Sequence, residues 1–445
     1  MGNTPFILPI PFRDPLEAFA PFAADPTCAL LDSAAQGRFS ILAVDPFDVL
    51  TSEGRSDPLG DLAEALARHR LKPGLHPFPF LTGAIGYFGY ELGGTLERLP
   101  APRPDGPHMP EMHLGLYDTA AVFDETERRA WVVASGRQAD HKAAWLAKKI
   151  AAAPALPPLS DIAYGPWRAE QSRDSYQAQV AQIIEAIRAG EVFQVNLSQR
   201  FLADAPSGLT PFDLYRRLRR VNPAPFGAYL AAGEVGWVLS ASPERFLSLN
   251  AQGRVETRPI KGTRARSSDP AVDQAQAEAL LLSAKDRAEN LMIVDLLRND
   301  LSRVCQLGSV KAPVVCGLES FETVHHLVSV VEGQLRPKLG AVDLLKAAFP
   351  GGSVTGAPKI RAMEIIHTLE KTRRGPYCGA VGWIGFDGAM DSSIVIRSLV
   401  WSGKQIIAQA GGGVVSDSDP SAEYEETLTK VRPLLRALDS AGDTP

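Results

Sequence analysis

Cysteine is scarce in this 445-residue chain. Cys28, Cys305, Cys316 and Cys378 form no CxxC pair and are too few for a disulfide framework at this length, so reduced, buried, inert thiols are expected. A basic excess is also missing, since 46 Lys and Arg stand against 51 Asp and Glu and the net charge is -5. The longest basic patch is Arg216-Arg217-Leu218-Arg219-Arg220, and no nucleic-acid partner is expected. No long uncharged apolar run is present to span a bilayer, and the proline-interrupted residues 1–46 lack the order of a secretory signal. A cytoplasmic protein without membrane contact is the expectation. Repeats, low-complexity tracts and the HExxH, GxSxG and zinc-ligand spacings are absent as well.

What is there is ordinary globular material, 45% hydrophobic and 22% charged, long enough for two or three structural units. The clearest compositional break is AAAPALPP at 151–158, which ends a helical stretch at 141–153 and marks a boundary or crossover. It divides a β-rich region, 1–150, from a second region, 165–440. Strands are predicted at 39–44, 82–88 and 119–123, then at 236–240, 380–386, 393–399 and 405–410. Helices are predicted at 175–189, capped by Asp174, and at 270–301, 341–348, 359–369 and 420–437. From 192 to 201, Phe193, Val195, Leu197 and Phe201 alternate with Gln194, Asn196, Ser198 and Arg200, a strand whose polar face is a candidate site wall. Strands and helices come in blocks without strict alternation, which favours α+β over a doubly wound sheet.

Two acidic pairs draw notice. Asp286 and Glu289 are three apart on one helical face that continues through Ile293, Leu296 and Leu297, where unpaired anions are costly. Taken alone, a solvated edge salt-bridged to Lys285 or Arg287 accounts better for the pair. Glu423 and Glu426 repeat the spacing behind Asp419-Pro420, a fitting helix start, and the helix dipole favours acids there anyway. Facing each other, the two pairs would make an oxygen-rich cage for Mg²⁺, although spacing cannot bring them together. Gly411-Gly412-Gly413, between a strand and that helix, is either an anion-receiving loop or a plain turn. Residues 350–359 miss the phosphate-loop pattern, with Ala357 and Pro358 where lysine and a hydroxyl residue are required. Lys261 in Arg258-Pro259-Ile260-Lys261-Gly262-Thr263 is a surface charge or, with its pKa lowered by burial, a nucleophile. His325-His326 lack a third metal-spaced partner.

Taken in order, Ser242-Pro243-Glu244-Arg245-Phe246 and the segments 259–263, 285–300, 324–328, 350–363, 377–382, 391–397 and 411–430 resemble the chorismate-utilising family typified by the large subunit of anthranilate synthase. The ordered set covers nearly all of the chain after about residue 174; the earlier part matches more loosely, through Leu30-Leu31-Asp32-Ser33-Ala34 and residues 83–92. The resemblance implies an α+β fold of two large packed, mainly antiparallel sheets with outer helices and a Mg²⁺-bound chorismate in a cleft between them. It implies Glu289 and Glu426 as direct ligands, with Asp286 and Glu423 acting through water, and Asp286 departs from the glutamate often found there. Gly262, Thr263, Ser353, Tyr377, Arg397, Gly411, Gly412, Gly413 and Lys430 would bind substrate. Lys261, Glu244 and His326 would be catalytic.

Within the family, water-adding relatives carry a lysine base at the position of Gln194, which disfavours water activation here. Anthranilate-forming members carry a small residue in place of Lys261, whereas the PIKGT form resembles the branch that makes 4-amino-4-deoxychorismate. Nothing resembles a cysteine-nucleophile glutaminase, so ammonia is expected from a separate glutaminase subunit, or from free ammonium in vitro; no fused lyase is expected. Ser33, Phe39, Pro225 and Phe226 resemble the family's tryptophan site. The alternatives are the anthranilate-forming reaction and a non-catalytic chorismate- or tryptophan-binding relative.

Overall fold

Alternating apolar side chains build two large sheets, seen in a computed structural model that describes residues 4–74, 76–162, 164–321 and 324–438. The larger, of 12 strands, runs in the order Phe6–Ile10, Arg129–Ala134, Thr119–Asp124, Phe39–Ala43, Ala29–Asp32, Phe226–Ala231, Trp237–Ser242, Ser398–Ser402, Gln405–Val414, Gln194–Asp204 and Gly356–Ala357, with Arg168–Ala169 beside Gln194–Asp204. The smaller, of 10, includes Ile260–Ala265, Val324–Gln334, Arg254–Thr257, Arg245–Leu249, Met390–Ile394, Ala380–Gly385 and Gly83–Phe88. Neighbours that define the site are antiparallel. This is the expected α+β architecture. Strands from both sides of the 151–158 break share both sheets; Gly83–Phe88, for example, pairs in register with Ala380–Gly385.

The period-two pattern sorts side chains into three apolar layers. Ile41, Val122 and Ile407 of the larger sheet meet Ile85, Tyr87, Val381 and Trp383 of the smaller one. Leu42, Phe123, Ile406 and Ala408 point the other way, toward helices Ala139–Ala151, Pro211–Val221 and Pro420–Leu435. Ala84, Phe88, Ala380 and Ile384 pack under helices Pro58–Arg68, Ala284–Ser302 and Ala341–Ala348. All four cysteines are buried and free. Among the described residues no helix is long and apolar enough to cross a membrane.

Five local expectations are corrected. The Arg173–Arg188 helix is capped by Ser172, whose hydroxyl accepts from the Ser175 N–H, and Asp174 sits in its first turn. The stretch 270–301 is two helices, Pro270–Leu282 and Ala284–Ser302, because Ser283 takes extended backbone and its hydroxyl accepts from the Asp286 N–H. The strand predicted at 393–399 is interrupted: Met390–Ile394 belongs to the smaller sheet, Ser398–Ser402 to the larger, and Arg397, at φ 54°, lies in the crossing. Gly411, Gly412 and Gly413 are part of the strand Gln405–Val414, paired with Ser198, Leu197 and Asn196. Phe193 precedes its strand and is 70% exposed, outside the apolar face.

Candidate active site

Lys261 owes its position to a bulge. Ile260 pairs with Val328 and Thr263 with His326, so the register slips between them. Gly262 absorbs the slip at φ 81°, where a Cβ would lie 2.8 Å from Leu280 Cδ1 and 3.0 Å from Asp286 Cγ. The Lys261 ammonium donates to the Ser353 carbonyl at 3.3 Å. Burial lowers its pKa, opposed by Glu289 and Glu244. Glu244 is itself buried, and burial pushes its carboxyl up to about 7 against a hydrogen bond from Ser353 and the charge of Lys261. A lysine biased toward neutrality thus sits near a carboxyl biased toward protonation, the pairing required of a nucleophile and an acid.

On the other wall, Lys430 donates to the Gly411 carbonyl at 3.0 Å and pairs with Glu426 at 2.5 Å. Arg397 Nη1 donates to the Lys430 carbonyl at 2.5 Å. Burial lowers the Arg397 pKa, while Tyr377 and Glu426 oppose it. Tyr377 is buried, which keeps its phenol neutral. His326 shares a 2.9 Å hydrogen bond between Nδ1 and the Thr263 hydroxyl, and burial pushes it down to about 4, leaving a neutral imidazole at physiological pH. Beyond Ala408 the strand Gln405–Val414 keeps only its pairing with Gln194–Asp204, because Ser398–Ser402 ends at Ser398. The glycine stretch therefore has one edge without a strand partner.

The two acidic pairs come together from helices Ala284–Ser302 and Pro420–Leu435. Glu289 interacts electrostatically with Glu426 and Asp286, and Glu423 with Glu426. A Cβ on Gly412 would lie 3.2 Å from Glu423 Oε2 and 3.3 Å from Glu426 Oε1, so only glycine leaves the space beneath these carboxylates free. Burial raises the pKa of Glu289 and of Glu423, the latter accepting from the Ser418 hydroxyl at 2.6 Å. Glu426 is lowered instead: burial opposes this, and Lys430 prevails. Asp286 is turned toward Arg264, at 3.3 Å. The donor set, all carboxylate oxygen, fits a hard divalent cation. Its spacing does not enclose one, for among the described residues no three acidic, His or Cys side chains stand close enough to hold a metal.

Sequence reasoning missed two groups here. Lys285, which the sequence offers only as a partner in a solvated salt bridge, lies 4.0 Å from Glu289 and 3.9 Å from Glu423. Arg374, which no sequence pattern singled out, is buried; it pairs with Glu370 and donates to the Val354 and Asn196 carbonyls at 3.1 and 2.7 Å, tying the turn that bears Ser353 to the polar strand. Ser33, Phe39, Pro225 and Phe226 form another neighbourhood. A Cβ on Gly37 would touch Ser33 and Pro225, Arg38 stacks on Phe39, and Arg245 stacks on Phe226. The Ser33 and Ser40 hydroxyls both donate to Glu125, at 2.6 and 2.5 Å, a convergence that no spacing signalled.

A half-buried lysine, a carboxyl pushed up to about 7 and two acidic helices that interact electrostatically define a class. Residues 26–436 match the family described as chorismate binding enzyme, and the chain belongs to it. Aminodeoxychorismate synthase component 1 of Klebsiella aerogenes is 44% identical over 98% of this chain and 100% of its own length. Anthranilate synthase component 1 of Thermus thermophilus is 40% identical over 94% of this chain and 93% of its own. Among solved structures, anthranilate synthase component I of Streptococcus pneumoniae superimposes with a TM-score of 0.81 at 34% identity, covering 90% of this chain and 92% of that one.

Proposed function

We propose that this chain is the chorismate-aminating component of an aminodeoxychorismate synthase, forming 4-amino-4-deoxychorismate from chorismate and ammonia with Mg²⁺ as cofactor. The observation that carries the reading is Lys261, partly buried at the bulge, hydrogen-bonded to Ser353 and biased toward its neutral form next to Glu244. The relatives favour the same reaction, since curated chains 42–44% identical over nearly their full length carry that name. Ammonia would be delivered by a separate glutaminase component.

In this reading the neutral Lys261 amine adds to C2 of the ring, the ring double bonds shift, and the C4–O bond breaks. Glu244 gives its proton to the departing hydroxyl, which leaves as water. Ammonia then adds at C4, the double bonds shift back, the C2–N bond breaks and Lys261 is released; the enolpyruvyl group is retained. Arg397, Lys430, Tyr377, Thr263 and the Gly262 and Gly411–Gly413 backbone orient the two substrate carboxylates, and the neutral His326, fixed by Thr263, borders the ring. Glu289 and Glu426 would hold Mg²⁺ directly and Asp286 and Glu423 through water; when bound, the ion offsets the charge of the ring carboxylate.

Lys261→Ala tests this. It is expected to fold, to lose most amination at C4 and to shift its residual product toward anthranilate-type compounds through direct attack of ammonia at C2. Mass spectrometry of wild type trapped with chorismate in the absence of ammonia should show the lysine adduct. Unchanged rate and product in the variant would overturn the assignment of Lys261.

A further inference from the structure

A charged side chain enters a protein interior only against a cost, and Arg374 is 2% exposed. Its Nε and Nη2 hold the Glu370 carboxylate at 2.8 and 2.7 Å, and Glu370 also accepts from the N–H and the hydroxyl of Ser198. That pair answers the charge. The other bonds go to backbone: Nη1 donates to the Val354 carbonyl at 3.1 Å and Nη2 to the Asn196 carbonyl at 2.7 Å. Since the Asn196 N–H donates to the Thr355 carbonyl at 2.8 Å, the end of the turn Gly352–Val354 is fastened to the polar strand at two successive carbonyls, one of them through Arg374. That turn carries Ser353, whose carbonyl receives the Lys261 ammonium at 3.3 Å and which also hydrogen-bonds Glu244. The guanidinium lies 4.6 Å from the ring centre of Tyr90 and 5.9 Å from that of Tyr377.

We propose that Arg374 is a positioning residue for the reaction: it sets the turn that presents Ser353 to both Lys261 and Glu244 and braces the ring of Tyr377, so that nucleophile, acid and substrate wall share one support. This rests on the roles given above to Lys261, Glu244 and Tyr377. Glu289, Glu244, Lys430 and Glu426 act on the charge of Lys261, whereas Arg374 determines where its acceptor stands. Arginine is required by shape. Its planar fork serves a carboxylate and two carbonyls at once, while a lysine keeps the charge opposite Glu370 and cannot span both carbonyls.

The test compares wild type with Arg374→Lys, with the double variant Arg374→Met/Glu370→Gln and with Leu146→Ala, each as the full chain with Mg²⁺. Three readouts are taken: trapping of the Lys261 adduct with chorismate in the absence of ammonia, steady-state rates with ammonium, and thermal melting. The double variant removes both buried charges and leaves an amide oxygen for Ser198, so it supplies a folded chain even where Arg374→Lys does not fold. Leu146→Ala opens a cavity behind the larger sheet, in the helix Ala139–Ala151, and lowers stability alone. The Arg374 variants should form the adduct on the order of 10- to 100-fold more slowly, as expected of a displacement of about 1 Å at the reacting groups, and their KM for chorismate should rise. Leu146→Ala should melt lower and keep the wild-type adduct rate. A cooperatively melting Arg374 variant with wild-type adduct rate and KM, or a slowing that Leu146→Ala matches, would overturn the proposal. Wild type that forms no adduct would instead fault the role of Lys261 on which the proposal rests.

Discussion

At the scale of single residues, burial holds Glu244, Lys261 and His326 away from their ordinary protonation. Glu244 has a sign that can be worked out. Its carboxyl is buried and titrates near 7 in the folded chain against 4.5 when free, so the cost of burying its charge is absent below about pH 4.5, grows through the interval and is complete above 7. Glu244→Gln is therefore expected to be more stable than wild type at pH 8, by roughly 3.5 kcal/mol at most from about 1.4 kcal/mol per pKa unit, and to melt higher, with the advantage gone by pH 4. It should also lose on the order of 10²- to 10⁴-fold in rate as the proton donor disappears. Melting curves at the two pH values with initial rates check both, and equal gains at pH 4 and pH 8 would contradict the buried charge. Lys261 stood out in the sequence by type and neighbourhood, and Glu244 through the family resemblance alone. Their proximity did not, because the bulge that brings them together depends on pairing with a strand more than 60 residues later.

At the scale of elements, one strand carries two glycines with different reasons for being glycine. A Cβ on Gly411 would lie 2.1 Å from the Leu197 carbonyl oxygen, a backbone clash that no rotamer relieves. A Cβ on Gly412 would meet only the flexible ends of Glu423 and Glu426. Gly411→Ala is accordingly expected to cost about 1–3 kcal/mol or more of stability, while Gly412→Ala should melt near wild type and bind Mg²⁺ more weakly. Denaturant titration beside metal titration separates the two effects; a stable Gly411→Ala chain would contradict the strand pairing. Helix ends marked by Asp419-Pro420, and the helices Ala341–Ala348 and Lys359–Leu369, were legible because periodicity and caps are local. The split at Ser283 and the crossing at Arg397 were not. An apolar run reads the same whether it stays in one sheet or passes to the other.

At the scale of the whole molecule, the fold class followed from blocks of strands and helices, and the ordered motifs carried the family. Which strands pair was hidden, since Gly83–Phe88 finds Ala380–Gly385 nearly three hundred residues away and register across such a gap leaves no trace in one sequence. The same long-range pairing sets the acidic helices against each other, so they could be named from spacing and yet not brought face to face. The proposed reaction depends on this whole assembly, and its product reports on it. Wild-type chain incubated with chorismate, Mg²⁺ and ammonium should form 4-amino-4-deoxychorismate, seen by chromatography with mass detection and converted to 4-aminobenzoate by an added lyase. Fluorescent anthranilate as the main product, or chorismate left unchanged, would contradict the account.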